Sequence, residues 1–361
     1  MIYRLGSLGD TIVALPCFHL IARSFPNAQR WVLTSRIRDS KASAISTVLE
    51  NSGLIDGYLD YPTRLRNFRE LMELRKRIQN WSPDLLIYLT EPRGQFNTLR
   101  DTAFFLSCGI TRMVGIPYKS SLAKPQWLPA RAQYEPEAKR LARCLRKLGD
   151  ARLQQHEAWD LKLTSSEEAR AEQVLSDWSG KERFMVCSVG ARIPSKDWGE
   201  ENWLNFLRQL SSNYPLLGLV LIGANDEFTR SESAKGCWHG PVQNLCGKLT
   251  PRESAALLKR ACLFVGHDSG PMHLAAAVNT PCVAIFSARN KPAVWFPYGL
   301  HHRVIYHQTE CYGCGLEVCT QHSKKCITSI TVNEVVAAVQ DVLKKSIQSP
   351  DYASIPQTMI A

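Results

Sequence analysis

The stretch that most constrains this chain runs from Val265 to Phe286 and reads VGHDSGPMHLAAAVNTPCVAIF. An apolar run ends in Asp-Ser-Gly-Pro, a helix-forming run follows, Asn279 and Pro281 stop it, and a second apolar run begins. Pro271 falls where a helix tolerates proline, in its first turn, because the N–H it lacks would find no partner there. Asp268 or Ser269 is placed to cap that helix. The pattern is a strand–helix–strand unit with the helix N-terminus at the carboxyl end of a strand. In open α/β sheets ligands bind there. The unpaired N–H groups and the positive helix end favour an anion such as phosphate. Gly270 lets the backbone approach closely, and His273 comes within reach of the same ligand. The residues alone fit equally a plain strand–helix turn with ordinary capping and a packed histidine.

A second stretch, RLGSLGDTIVALP at residues 4–16, is built alike. Residues 2–5 read as a short strand, and Asp10 to Ser24 as one helix with apolar Ile12, Val13, Leu15, Phe18, Leu20 and Ile21. The loop Gly6-Ser7-Leu8-Gly9-Asp10 is not the dinucleotide fingerprint, which needs three glycines at fixed spacing and an acid about 20 residues on. Asp10 reads either as a helix-stabilising carboxylate or as a functional group on a loop. The loop stands five residues from Met1, which leaves a start further upstream open.

Two more strand ends carry polar loops. In SVGARIPSKDWGEENW (188–203) a strand ends in glycine and the loop bears Arg192, Ser195 and Lys196, with a helix from about Glu200. Two cations and a hydroxyl suit a diphosphate. In IGANDEFTR (222–230), Asp226 and Glu227 could accept hydrogen bonds from sugar hydroxyls. Three such loops within one half of the chain point to one nucleotide-like ligand.

Around these loops the chain reads as two doubly wound α/β halves with a seam near 160–180. A length of 361 residues fits two domains of roughly 100–200 residues each. Strands are expected at 30–34, 84–89, 184–189, 218–223, 262–267 and 282–286. Helices are expected at 66–80, 137–148 and 164–179, the last with a capping-type start. Composition loosens at 120–140, and the tail after about 347 reads as frayed.

No apolar run approaches the ~20 residues of a membrane span, and Arg4 and Asp10 interrupt any signal peptide. The expected location is the cytoplasm. The net charge of +11 leans to residues 1–180, with 26 basic against 19 acidic residues. Such a surface suits a polyanion such as nucleic acid, a phosphorylated glycolipid or a membrane face, or serves solubility alone. No recognition-helix or aromatic-platform motif supports nucleic acid.

Together these stretches resemble glycosyltransferase family 9, the ADP-heptose:lipopolysaccharide heptosyltransferase family, over about residues 2–340. The resemblance rests on R-x-G-S-L-G-D-x-x-x-x-L-P, on G-A-R-x-P-S-K-x-W and on D-S-G-P-M-H-L-A-A-A, in that order. It implies a GT-B architecture: two Rossmann-like doubly wound domains facing a cleft, with a C-terminal helix crossing back to the first. The expected domains are an acceptor-binding 1–165 and a donor-binding 166–345, with a tail at 346–361.

The implied reaction is an inverting, metal-independent transfer from a nucleotide-diphosphate sugar, ADP-heptose foremost, with no cofactor. By residue matching Asp10 is the general base. Arg192, Ser195 and Lys196 hold the diphosphate. Asp268, Ser269, Gly270 and His273 line the donor phosphates and sugar. Asp226 or Glu227 binds the nucleoside, and the backbone near Leu249 meets the base. Gly9, Arg64 and Arg66 are the candidates on the acceptor side. The chemistry agrees, since a diphosphate leaving on a helix N-terminus and a lysine needs no metal. The absence of Asp-x-Asp is consistent with that. The acceptor is expected to be an anionic lipid-linked glycan, with peripheral contact at the inner membrane face and no nucleic-acid partner. Arg64, Arg66, Arg69, Arg75, Lys76 and Arg77 serve that contact or form a solvated helix face paired with Glu70 and Glu73.

Arg192 and Ile193 stand where some heptosyltransferases carry small hydroxyl residues, a departure that bears on the donor sugar. Another nucleotide sugar, or a nucleotide-sugar epimerase on the same fold, is the alternative. Cys311, Cys314, Cys319 and Cys326, spaced C-x2-C-x4-C-x6-C with His322 inside, leave structural zinc, a redox-sensitive loop and plain packing all open.

Overall fold

The computed structural model describes residues 1–35, 45–61 and 68–348, with side chains through 345. The chain divides into two compact units, Met1–Lys162 and Leu163–Ala361.

The first unit runs β1 (Ile2–Tyr3), α1 (Leu8–Val13), α2 (Leu15–Ser24), β2 (Trp31–Ser35), α3 (Ser46–Leu49), β3 (Gly57–Tyr61), α4 (Phe68–Trp81), β4 (Leu86–Tyr88), α5 (Gln95–Ser107) and β5 (Met113–Val114). Its sheet is parallel, in the order β3-β2-β1-β4-β5. After it come α6 (Ser120–Ala123), an antiparallel ribbon of β6 (Trp127–Leu128) and β7 (Gln133–Tyr134), and α7 (Glu137–Cys144).

The second unit runs α8 (Ser165–Leu175), β8 (Phe184–Ser188), α9 (Glu200–Asn213), β9 (Gly218–Leu221), α10 (Phe228–Lys235), β10 (Val242–Asn244), α11 (Pro251–Leu258), β11 (Leu263–His267), α12 (Gly270–Ala277), β12 (Cys282–Phe286), β13 (Arg303–Tyr306), α13 (Lys325–Thr328) and α14 (Val332–Gln348). Its parallel sheet has the order β10-β9-β8-β11-β12-β13. Both sheets follow the doubly wound Rossmann pattern, in which the strand order reverses beside the first strand. The reversal lies between β1 and β4 in one sheet and between β8 and β11 in the other.

The sequence explains these elements. The central strands β8, β11 and β12 are buried at every position, as their continuous apolar runs require of a sheet covered on both faces. On one face Trp203, Phe206, Leu207 and Leu210 of α9 and Val335, Val339 and Leu343 of α14 pack into one core with them. Thr164 starts α8 by a capping box with Glu167, and Arg252 of α11 ion-pairs with the same Glu167.

The single helix expected from Asp10 to Ser24 is two. Pro16 cannot donate to the carbonyl four residues back, and its ring crowds that turn, so α1 ends at Val13 and α2 begins with proline in its first turn. The proline-rich 120–140 region holds a short helix and the ribbon rather than loop alone. β10 and β13, short or half-exposed edge strands, were not legible as strands. The buried face of α14 belongs to the second unit's core. The residues after 348, on which the expectation of a returning helix and a tail also rests, lie outside the described ones. Among the described residues no helix is long and apolar enough to cross a membrane.

Candidate active site

In the first unit the chain leaves β1 into a turn organised around Asp10. The Ser7 N–H and hydroxyl both donate to Asp10 Oδ2, each at 2.6 Å. The other oxygen, Oδ1, lies 3.9 Å from the Arg4 guanidinium. Arg4 is wholly buried. It donates to the Asp10 carbonyl and, at 2.6 Å, to the Leu89 carbonyl just past β4. The Leu5 N–H donates to Thr90 Oγ1 at 2.9 Å. The two strands at the sheet's reversal are thus laced together beneath the carboxylate. Gly6 has φ +147°, and a Cβ there would stand 2.6 Å from the Asp10 Cβ, so the close approach requires glycine. Asp10 is therefore fixed by one oxygen, with the other beside a cation and the side chain 20% exposed. Gly9 is buried within α1.

Arg64 and Arg66 lie outside the described residues. Of the neighbouring cations, Arg69 pairs with Glu73 at 3.2 Å and Arg75 donates to the Ser107 carbonyl at 2.8 Å.

In the second unit, the loops after β8 and β11 flank the reversal. Lys196 Nζ lies 2.7 Å from Asp268 Oδ2 and donates to the Asp268 carbonyl at 3.1 Å. Asn290, from the loop after β12, donates to the same Oδ2 at 2.9 Å. His273 Nε2 lies 3.9 Å from Asp268 Oδ1, and its ring meets Trp295 edge-on at 6.4 Å. Ser269 is the N-cap residue of α12, yet its hydroxyl makes no cap bond and is a buried oxygen with no hydrogen-bond partner. Gly270 and Pro271 open the helix, so its positive end faces this cluster.

The Lys196 loop is held from several sides. The Ser195 hydroxyl donates to the Leu316 carbonyl at 2.7 Å and its N–H to the Glu317 carbonyl at 3.0 Å. Ser195 is thus already engaged in positioning the loop. Asp197 takes a two-pronged bond from Arg230, at 3.1 and 2.8 Å. Burial alone would raise the Asp197 carboxyl, but the Arg230 bonds and the Gly199 N–H outweigh it and hold the carboxyl low. His267 accepts at Nε2 from the Trp198 N–H at 3.1 Å and the Trp203 indole at 3.3 Å. Its proton therefore sits on Nδ1 and goes to the Gly190 carbonyl, 3.0 Å away. Burial pushes His267 down to about 4, which keeps the ring neutral. Arg192 is exposed on the same loop.

Glu227 lies across the glycines that end β8 and β9. A Cβ on Gly190 would fall 1.8 Å from its Oε1, and one on Gly223 would fall 2.3 Å from its Oε2. Oε2 accepts the Ala224 N–H at 2.8 Å. Asp226 precedes it in the same short turn, and Leu249 is half-buried in the loop after β10. The structure therefore brings Lys196, Asp268, Ser269, Gly270 and His273 together. Around them it adds Asn290, Trp295 and His267, and in the first unit it sets Arg4 beside Asp10; to none of these did a role fall from the sequence.

Cys311, Cys314, Cys319 and Cys326 carry no disulfide. Backbone N–H groups, that of Lys324 first, hold Cys319 below the ordinary thiol range, while burial raises Cys326. Among the described residues no group of three or more His, Cys, Asp or Glu is arranged to hold a metal ion. The evident work of this loop is mechanical, since its carbonyls receive Ser195 and Arg289.

The sequence signature of glycosyltransferase family 9 (heptosyltransferase) matches residues 73–325. Lipopolysaccharide heptosyltransferase 3 of Escherichia coli K12 is 30% identical over 176 residues, 47% of this chain and 49% of that protein. The match thus spans about half of that relative's length. Among solved structures, a family 9 glycosyltransferase from Veillonella parvula superposes with a TM-score of 0.73 at 17% identity, covering 95% of this chain and 97% of that one. ADP-heptose lipopolysaccharide heptosyltransferase II of Escherichia coli gives 0.64 at 18%, covering 95% and 98%. These structures share the GT-B fold of two parallel α/β sheets.

Proposed function

This chain belongs to glycosyltransferase family 9 (heptosyltransferase), and from that premise we propose that it transfers a sugar with inversion, heptose from ADP-heptose foremost, onto a lipopolysaccharide-core or related surface-glycan acceptor. The observation that carries the reading is the Lys196–Asp268 pair at the N-terminus of α12, beside the reversal of the second sheet. A nucleoside diphosphate fits there. Its negative charge meets the helix end, the Lys196 ammonium and the unpartnered Ser269 hydroxyl. Glu227, across the glycines of β8 and β9, suits the nucleoside's hydroxyls.

In the transfer, the acceptor hydroxyl oxygen attacks the anomeric carbon on the face opposite the diphosphate. The new C–O bond forms as the bond from that carbon to the phosphate oxygen breaks, and the diphosphate leaves with the electron pair. The acceptor's proton passes to Asp10 Oδ1, the oxygen Ser7 does not occupy. Ser7 fixes the carboxylate before reaction, so little reorganisation is needed. Lys196 and the helix end take up the leaving group's charge, which assigns no step to a metal. In this reading the first unit serves the acceptor and the second the donor. The ADP-heptose donor and the lipopolysaccharide acceptor are taken from the names of the relatives, and a place at the cytoplasmic side of the inner membrane is proposed because a lipid-linked acceptor resides in that bilayer.

The test is a transfer assay with ADP-heptose and a truncated lipopolysaccharide core, with and without a chelator. Wild type should transfer in both conditions. Asp10→Asn keeps an oxygen for Ser7 but cannot take the proton, and should lose about 10²–10⁴-fold in kcat while still binding nucleotide. Full activity in Asp10→Asn would remove Asp10 as the base.

A further inference from the structure

The outer face of α5 presents an apolar stripe where a surface helix is ordinarily polar. Thr98, Asp101 and Phe105 face inward and are buried. Phe96, Leu99 and Leu106 face outward and are 79%, 61% and 51% exposed, with Ala103 between them at helical spacing. No carboxylate lies on this outer face, because the helix's one acid, Asp101, is buried. Tyr118, half exposed, leans on the helix through a 3.2 Å bond to Thr102.

Cations flank the stripe and are held in place. Buried Asp101 accepts from Arg93 and from Arg100, each at 2.8 Å, and from the Tyr88 hydroxyl at 3.1 Å. Arg93 also donates to the Tyr3 hydroxyl at 2.9 Å. Both guanidiniums remain more than a third exposed, and each has N–H donors beyond those it spends here. Helix α4 packs on the same face of the sheet, as Leu74 and Ile78 share a core with Phe105, and Arg75 reaches the end of α5 at the Ser107 carbonyl. Of its exposed cations Arg69 is paired with Glu73, while Lys76 and Arg77 add basic charge on a helix that also exposes Glu70.

The geometry points to a membrane-docking surface: α5 lies in the interface of an anionic lipid bilayer, with Phe96, Leu99 and Leu106 among the acyl chains and Arg93, Arg100 and the α4 cations on lipid phosphates. An apolar helix face bordered by cations and free of carboxylates complements such a surface in both respects. An acidic protein partner would match the cations alone. The stripe begins at Phe96, one turn from Arg93, and Arg93 bonds Tyr3 of β1, whose next residue, Arg4, holds Asp10. The docking face therefore starts at the end of the sheet that carries the candidate base. This deepens the acceptor reading above, since a lipid-linked acceptor resides in that bilayer.

The experiment is co-sedimentation of the full chain with phosphatidylglycerol-containing vesicles and with pure phosphatidylcholine vesicles. Wild type should bind the anionic vesicles, more weakly as salt rises. Leu99→Glu/Leu106→Glu should lose roughly tenfold or more in partitioning with an unchanged Tm, because both positions are exposed. Lys76→Gln/Arg77→Gln leaves the stripe intact and should lose about fivefold per cation. Equal binding to neutral vesicles, no binding by wild type, or unimpaired binding by both variants overturns the proposal. A wild-type dimer that Leu99→Glu/Leu106→Glu turns into monomer would assign the face to a second copy instead. Binding is read without turnover. Loss of transfer in Asp10→Asn with vesicle binding intact separates this proposal from the catalytic one.

Discussion

The Lys196 ammonium lies 2.7 Å from the Asp268 carboxylate, and both side chains are largely buried, at 15% and 6% exposure. The lysine is thus held in place and aimed before any ligand arrives, while Asn290 shares the same carboxylate oxygen. An incoming diphosphate finds a cation whose position is already fixed.

Removing that cation should act on binding and on stability together. Lys196→Ala is expected to weaken nucleoside-diphosphate binding by about 2 kcal/mol, roughly 30-fold, as for loss of one partner in a buried charged contact. It should also lower stability by about 1–3 kcal/mol, because the buried Asp268 loses its ammonium partner and is left with Asn290 at 2.9 Å and His273 at 3.9 Å. Isothermal titration and thermal melts measure the two. Unchanged affinity with a lowered Tm would leave Lys196 a purely structural residue.

Gly6→Ala should behave like a displaced base. The new methyl group would press on the Asp10 side chain from 2.6 Å at a positive φ. Transfer should fall by at least about 10²-fold, the scale of one general base, with nucleotide affinity within twofold of wild type. A Gly6→Ala enzyme with wild-type kcat contradicts the geometry of the turn.

His267 gives a pH signature in stability. Its folded pKa, about 4, lies below the ordinary 6.5, so the unfolded chain binds more protons between these values. Its contribution is present in full above pH 6.5 and is lost as pH falls toward 4. Denaturant midpoints should therefore drop from about pH 6.5 downward. Burial drives His302 lower still, to about 3, and it adds to the same slope. In His267→Gln, whose amide oxygen can stand in for Nε2 as acceptor but leaves the Gly190 carbonyl without its Nδ1–H donor, the slope between 6.5 and 4 should be shallower, at a lower plateau. An identical slope in that variant would show that His267 is not the group responsible.

The parts of this fold that announced themselves were local. Gly6 to Asp10, Gly190 to Lys196 and Asp268 to His273 each follow an apolar run and open a helix or turn, so their place at strand ends was legible from neighbouring residues. The contacts that complete the site are long-range. Asn290 meets Asp268 from 22 residues away, and nothing near Asn290 marks it. His267 sits in an apolar run and reads as core until the Trp198 and Trp203 N–H groups are seen to converge on it. Arg4 was part of a quoted motif, but its role depends on Leu89, 85 residues on. Pro16 carried a signal that the apolar periodicity of 12–21 masked, and backbone chemistry prevailed over pattern.

In the proposed reaction the second unit holds a nucleoside diphosphate on Lys196 and the N-terminus of α12. The most direct test titrates ADP, UDP and GDP into wild type and Lys196→Ala without divalent metal. Wild type should bind ADP selectively, and the variant should lose that binding. Selective UDP or GDP binding would keep the site but replace ADP-heptose as donor. Binding of none of the three by a folded wild-type protein would contradict the claim.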